Sequence, residues 1–422
     1  MSNAAPEITR RRVMYIPGYD PVHPRKYRER YRREGARQAE ISHYDLALSP
    51  KQIGGKYGWR VSAKMNGANV QADVEVMYWA DIVRDSMRAG VVATYGQLVR
   101  TAWVYLGSGA LFGLMRLRKG PVIAALYPVV ALLLQLALAV GCGIGVAYAL
   151  MVVSQLALST AGVLAVSSYF PLRAFLAYGV TLPATAWAIL GWFKQNDHRF
   201  LAYYLMHDYA FSAIDCGAYP TAQEARMATF GDRIAEAMQS DADEVLIVGH
   251  SSGAYIAVSI LADLLRAGRV PDGAPRLALL TLGHVVPMVS FLPKAGRLRA
   301  DLAFLSVQDR ITWVDVTAPG DGCAFALCDP VAVSGVAPSG KRWPLVISAA
   351  FSQTLAPETW KAMRWRLFEL HFQYLNAFDR PGDYDYFAIT VGPVSLATRF
   401  AGRAPSASRI ELAVNRYTDM VA

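Results

Sequence analysis

Hydrophobic and polar positions divide the chain into four stretches. Residues 1–92 hold two strand-like runs, "RRVMYIPG" and "ADVEVMYWADIV", joined by polar, basic and glycine-containing sequence. Residues 93–119 are amphipathic and close on "MRLRKG". Residues 120–193 are apolar almost throughout and carry one formal charge, Arg173. From residue 194 onward strand and helix patterns alternate. "TAQEARMATFGDRIAEAMQ" sets apolar side chains at helical spacing, "DEVLIVG" reads as a buried strand, and "AYIAVSILADLLRAG" as a helix stopping on Gly268. "RLALLTLG", "RITWVDVTA" and "KRWPLVISAAF" read as strands, with "LRADLAFLS" a helix among them. Such alternation predicts an α/β fold, a mostly parallel sheet with helices on both faces.

The apolar block is long enough for more than one membrane crossing, since a spanning helix takes about 20 apolar residues. Hydropathy alone marks 122–141, 146–166 and 174–193. Charge decides the parity. Arg116, Arg118 and Lys119 precede the block and Lys194 and Arg199 follow it, so the positive-inside rule puts both flanks in the cytoplasm. An even number of crossings follows: two tilted or overlong helices turning within 150–173, with any third apolar piece re-entrant or interfacial. The expected organisation is therefore a first part over 1–119, a transmembrane helical hairpin over 120–193 and a catalytic core over 194–422.

Composition sharpens this picture. The mean hydropathy of +0.23 and a hydrophobic share of 54% come mostly from that block. The net charge of +9 is concentrated early, in "RRR" at 10–12 and "RKYRERYRR" at 25–33. With apolar spans present and no nucleic-acid motif, this basic run fits a solvated helix face or an anionic lipid surface and excludes a nucleic-acid partner. Cys142, Cys216, Cys323 and Cys328 lack metal-ligand spacing and read as reduced thiols of a cytoplasm-facing protein. The polar N-terminus lacks the apolar core of a cleavable signal. Alanine and arginine richness suggests a GC-rich bacterial genome.

The candidate chemistry lies in "EVLIVGHSSGAYIAVSILADLL", residues 244–265. A serine hydroxyl becomes a nucleophile only when exposed, aimed and served by a base. A tight strand-to-helix turn aims it, and residues two before and two after must then be tiny. Gly249 and Gly253 meet that demand around Ser251. The helix N-terminus beneath favours developing negative charge, and the Ser252 N–H is an oxyanion donor.

This stretch resembles the nucleophile elbow of the α/β-hydrolase superfamily, in the "GHSxG" form of lipases and esterases. The resemblance implies an oxyanion loop before the serine, then an acid, then a histidine. "VMYIPGYDP" at 13–21 is similar to the family's strand and oxyanion loop, with Tyr19 supplying a backbone N–H; Pro17 stands where lipases often carry a histidine. Asp321, in a Gly-flanked loop after a strand, is the expected acid, with Asp329 of "DPV" second; Asp315 lies inside the strand pattern. His371 of "LFELHFQYLNAF" follows both and is the expected base, with His284 of "TLGHVVP" second. Ser251, His371 and Asp321 would then cleave an ester or thioester through an acyl-enzyme. Anchoring favours a lipid-like substrate and makes the bilayer a partner. No metal or cofactor is expected, because no ligand cluster, Walker loop, GxGxxG or heme motif competes. The alternatives are a non-catalytic membrane scaffold with a hydrolase-like domain, and an acyltransferase using the same triad.

Overall fold

The computed structural model describes residues 7–50, 57–162 and 166–421. The chain forms two compact units: Met1–Ser86, Trp103–Val122 and Ser212–Ala422 make the first, Met87–Ala102 and Ile123–Phe211 the second.

The first unit is built on an eight-stranded sheet. Its strands are β1 (Arg10–Ile16), β2 (Asp45–Pro50), β3 (Gly58–Met65), β4 (Ala68–Val76), β5 (Glu244–His250), β6 (Arg276–Leu282), β7 (Ile311–Thr317) and β8 (Leu345–Ser348). They lie in the order β2-β3-β4-β1-β5-β6-β7-β8. From β4 to β8 every pairing is parallel, while β2, β3 and β4 form an antiparallel meander. Every residue of β5 is buried, which is why it reads as an unbroken apolar run. β3 alternates buried and solvated positions, as a strand with one wet face does.

Between β1 and β2 the basic run becomes helix α1 (Arg25–Ser42), which buries Tyr27 and Tyr31 and turns its arginines outward. Tyr27 and Tyr31 pack with Val13, Tyr15, Leu246 and Val248 on one side of the sheet. The alternate residues Met14, Ile16, Val245 and Ile247 are equally buried, so the other side is covered too. A buried ion pair fastens the sheet across the interrupting chain. Arg11 Nε lies 2.6 Å from Glu244 Oε2, and the remaining guanidinium nitrogens donate to the carbonyls of Gly392 and Val394.

The expected strand-like run at 72–83 divides into β4 and helix α2 (Ala80–Ser86), and the amphipathic stretch into α3 (Val91–Gly107) and α4 (Ala110–Leu117), bent by 74°. The apolar block becomes helix α5 (Lys119–Thr160) followed by a second helical run, Phe170–Gln195, which comprises α6 (Phe170–Ala174), a π-helical turn and α7 (Leu182–Gln195). These two runs are long and apolar enough to cross a membrane. The first hydropathy window, and the second as far as Thr160, thus fall on one continuous helix. Its 42 residues extend about 63 Å at 1.5 Å per residue, twice the ~30 Å hydrocarbon core.

Within the second unit the hairpin does not stand alone. After α8 (Asp197–Phe200) comes α9 (Ala202–Ala213), whose Tyr203 and Met206 pack with Leu98 of α3 and Leu132 of α5. Gly143 of α5 lets the two apolar runs approach closely: a Cβ there would stand 2.9 Å from the Leu182 carbonyl oxygen. Arg173 is internal and satisfied, donating to Ser154 Oγ at 3.0 Å, Gln155 Oε1 at 2.6 Å and the Met151 carbonyl at 2.6 Å. Exposed aromatics of the second run are Phe170, Phe175 and Tyr178 in its first half and Trp187 and Trp192 towards its end.

Candidate active site

β5 ends at His250, and after helix α10 (Thr221–Ala237) upstream the next helix is α11 (Gly253–Arg266). Ser251 makes the turn between β5 and α11 with φ of 56°, a left-handed conformation that costs an L-residue about 1–2 kcal/mol. Its N–H donates to the Leu282 carbonyl at 2.9 Å and its carbonyl accepts from Ala254 N at 3.1 Å, so the strained geometry is held from both sides. The side chain is half-buried.

Three glycines make room for it. A Cβ on Gly249 would lie 2.7 Å from the Gly253 carbonyl oxygen, and one on Gly253 would lie 2.1 Å from the Ile16 carbonyl oxygen. A Cβ on Gly18 would stand 2.8 Å from Ser251 Cβ and 3.3 Å from its Oγ. The end of β1 and the Pro17-Gly18-Tyr19 turn therefore press directly on the serine and on the first turn of α11. Trp79 braces that turn through Nε1 to the Pro17 carbonyl at 2.9 Å, and Tyr19 Oη shares a 2.5 Å hydrogen bond with Ser86 Oγ. Ser252 is the N-cap of α11, where backbone N–H groups have no partner within the helix.

The acid and base expected from chain order are joined. His371 Nδ1 lies 2.8 Å from Asp321 Oδ2. Asp321 follows β7 and is nearly buried; Cys323 N donates to its Oδ1 at 2.9 Å and Tyr374 Oη to its Oδ2 at 3.0 Å. With Nδ1–H donated to the carboxylate, the neutral imidazole keeps its lone pair on Nε2, the form a general base needs. His371 ends the helix Leu367–His371. Its carbonyl accepts from His250 Nε2 at 3.0 Å, and the two rings lie 4.8 Å apart. Burial, then the neighbouring His371, drives His250 well below the ordinary histidine range, so it is neutral and braces its neighbour by hydrogen bonding.

Gly283 links serine to dyad. It follows Leu282, whose carbonyl holds the Ser251 N–H, and its N–H donates to Val316. Its φ is +52°, and a Cβ there would stand 3.2 Å from His371 Cε1 and 3.3 Å from Asp321 Oδ2. Ser251 and the dyad thus border the same peptide at the ends of β5, β6 and β7.

The second choices lie elsewhere. Asp329 caps the short helix Pro330–Val333, accepting from Val331 N and Ala332 N at 3.0 Å, and pairs with Lys341. His284 is fully buried, with Nε2 2.9 Å from the Cys328 carbonyl and 3.6 Å from Asp315 Oδ2. Asp315 accepts from Thr281 Oγ1, and burial pushes its carboxyl up to about 6.

Sequence reasoning missed the Tyr374, His250, Gly18 and Gly283 contributions. Tyr374 alone had a local signal, three residues beyond the base in "HFQY". It also accepts from Ala318 N at 3.0 Å, tying the acid loop to the base segment. Asp321, Cys323 and His371 present ligand atoms within 4.8 Å of one another. Two of these atoms already share a hydrogen bond, and both carboxylate oxygens accept further donors, so the set is a satisfied dyad and not an open cage. No protein-family model, curated protein or solved structure matches the chain.

Proposed function

We propose that the chain is a membrane-anchored serine hydrolase of the α/β-hydrolase kind, cleaving a lipid-like carboxylic ester or thioester at the cytoplasmic face of a bacterial inner membrane. The observation that carries this reading is the convergence, around Gly283, of a strained serine at a strand-to-helix turn and a hydrogen-bonded His371–Asp321 pair. His371 Nε2 takes the Ser251 proton as Oγ attacks the acyl carbonyl. The N–H groups of Ser252 and Tyr19 hold the oxyanion. Collapse breaks the bond to the leaving oxygen or sulfur, which receives the proton from His371. Water, deprotonated by the same imidazole, then attacks the acyl-enzyme and releases the acid and the free serine. Asp321 keeps the imidazole in the correct tautomer throughout, and Tyr374 and the Cys323 N–H hold Asp321.

The membrane reading is supported by two helical runs long and apolar enough to cross a bilayer and by basic flanks on both. β1 and β4 precede these runs and β5 follows them, yet all three lie side by side. A membrane crossed between them must be crossed an even number of times.

Labelling of the full chain in membranes by a fluorophosphonate tests the proposal. Covalent labelling is expected in the wild type and in Ser252→Ala, and is lost in Ser251→Ala. A folded wild type that takes no label is a non-catalytic scaffold, and the proposal fails.

A further inference from the structure

The acid loop sits against the residues that lead into the first membrane-length helix. Arg118 Nε donates to the Ala326 carbonyl at 2.8 Å. Gly120, one residue into α5, packs on Gly322: a Cβ on Gly120 would lie 3.5 Å from Gly322 Cα. Gly322, which adjoins Asp321, in turn packs on Leu367, whose Cδ2 would be 3.0 Å from a Cβ there. Leu367 opens the short helix that ends on His371. An unbroken line of contacts therefore runs from the base of α5 to both members of the dyad, all within the first unit.

Exposed apolar side chains occur on the segments at both ends of that line. Trp365 is 78% exposed and Leu367 40%, and on α3 and α4 Trp103, Leu106, Phe112 and Met115 are exposed as well. Exposed cations lie on the same segments, Arg116 and Lys119 at the α4–α5 junction and Arg364 and Arg366 beside Trp365, Arg366 being paired with Glu369. The Arg364 guanidinium lies over the Trp365 ring, 5.5 Å from its centroid. Exposed tryptophan and leucine ringed by arginine and lysine is the composition of a surface lying in a headgroup layer. An aqueous surface has no reason to hold six large apolar side chains outward beside a helix that enters lipid.

The geometry points to this rim, Trp365 and Leu367 with the α3–α4 elbow, as a surface seated in the membrane interface that delivers a bilayer-resident acyl lipid to Ser251. The inference rests on the hydrolase reading above and deepens it. Three things select a bilayer as the occupant: continuity of α4 into α5 across the single residue Arg118, the cationic flanks that match anionic headgroups, and the position of the rim beside the acid and base segments. A long acyl chain then stays in lipid while only its ester leaves the headgroup layer, so no large apolar pocket for the chain is required.

Two measurements on the full chain in proteoliposomes test it. In the first, Trp365 emission is taken as the difference between wild type and Trp365→Phe. It is expected to be quenched at least twofold by lipids brominated near the headgroup and to be shielded from aqueous acrylamide. Free access to acrylamide without quenching by bromolipid overturns the inference, and so does protection from both, which means protein covers the rim. In the second, Trp365→Glu is compared with the wild type. Turnover of a long-chain ester carried in anionic vesicles is expected to fall at least tenfold. Hydrolysis of a short water-soluble ester and fluorophosphonate labelling of Ser251 stay within twofold. Equal rates on the vesicle substrate overturn the inference while leaving the hydrolase reading intact. Absence of Ser251-dependent turnover of any ester in the wild type removes the reading beneath it.

Discussion

Gly253→Ala probes the geometry on which the proposed chemistry depends. The added methyl would lie 2.1 Å from the Ile16 carbonyl oxygen and 2.8 Å from that of Pro17. Both obstacles are backbone, and Ile16 is held in the sheet by its pairing with Gly249 of β5, so neither can swing aside as a side chain would. Restoring an ordinary contact requires the end of β1 and the start of α11 to part by about 1 Å, an overpacking that costs roughly 1–3 kcal/mol. The same parting separates the Gly18 turn from Ser251, which Gly18 touches. A misplacement of about 1 Å in a reacting pair costs on the order of 10²-fold in rate. The expected outcome is a protein with a modestly lower urea midpoint whose fluorophosphonate labelling slows about a hundredfold. Gly231→Ala serves as control. It also adds one methyl to a helical glycine, but its nearest neighbour is Ile260 Cγ2 at 3.9 Å, so a gain of about 0.5–1 kcal/mol and an unchanged labelling rate are expected. A folded Gly253→Ala protein that labels as fast as the wild type refutes the assignment of the 16–18 turn to the serine's surroundings.

The identity of the acid is tested by comparing Asp321→Asn with Asp329→Ala. The first is expected to lower ester turnover by about 10⁴ through loss of the correct imidazole tautomer; the second is expected to leave turnover within threefold while losing about 1 kcal/mol of stability with its N-cap. The reverse pattern would transfer the role to Asp329. Strain at position 251 separates Ser251→Gly from Ser251→Ala. Glycine relieves the left-handed conformation, worth about 1–2 kcal/mol, at an entropic cost of about 0.5–1, so it should be the more stable of the two inactive proteins by roughly 0.5–1 kcal/mol in urea titrations. Asp315 predicts a pH effect. Its folded carboxyl is raised to about 6 by burial, so the unfolded chain loses its proton first as pH rises from 3.8. Native stability should therefore decline between about pH 4 and 6, by on the order of 3 kcal/mol from this group. Asp315→Asn, which keeps an acceptor for Thr281, should flatten that segment of the stability–pH curve, and an unchanged slope would exclude Asp315 as its source.

Legibility followed the range over which each constraint acts. The Ser251 turn could be read because its whole requirement, two glycines and a strand-to-helix change, lies within a few residues. β5, β6 and β7 were readable for a similar reason: strands buried on both faces are continuous apolar words. β2 and β3 were missed because their outward positions are polar, as in Arg60, Ser62 and Lys64 of β3. The sign that was available went unread, since Asn66 and Gly67 join β3 to β4 with φ of 51° and 81°, the two-residue turn that such a dipeptide favours. α1 was legible only as a solvated helix face, because Tyr27 and Tyr31 alone mark its buried side strongly. His250 bonding to the carbonyl of His371, 121 positions away, leaves no local trace in either segment. The Tyr374 hydroxyl donated to Asp321 leaves only the nearness of Tyr374 to His371 as a trace, although chain order alone sufficed to bring Asp321 and His371 together.

The membrane block shows how one residue type changes meaning with its surroundings. "GCGIG" at 141–145 separates two hydropathy windows, and in water three glycines so close would mark a break, each costing a helix up to about 1 kcal/mol relative to alanine. Here α5 runs through them without interruption. The run is long and apolar enough to cross a membrane, and in lipid an unbroken helix is the only way for a backbone to satisfy its hydrogen bonds. The missing side chains then become an advantage, letting Leu182 of the second run approach the backbone at Gly143. With the windows merged, two long runs remain in place of three. For a chain that crosses a membrane between these strands the order would require an even count, because β1 lies between β4, from the same side of the block, and β5, from the other. An odd count would leave Arg11 and Glu244, bonded at 2.6 Å in the buried centre of the sheet, on opposite sides of a membrane.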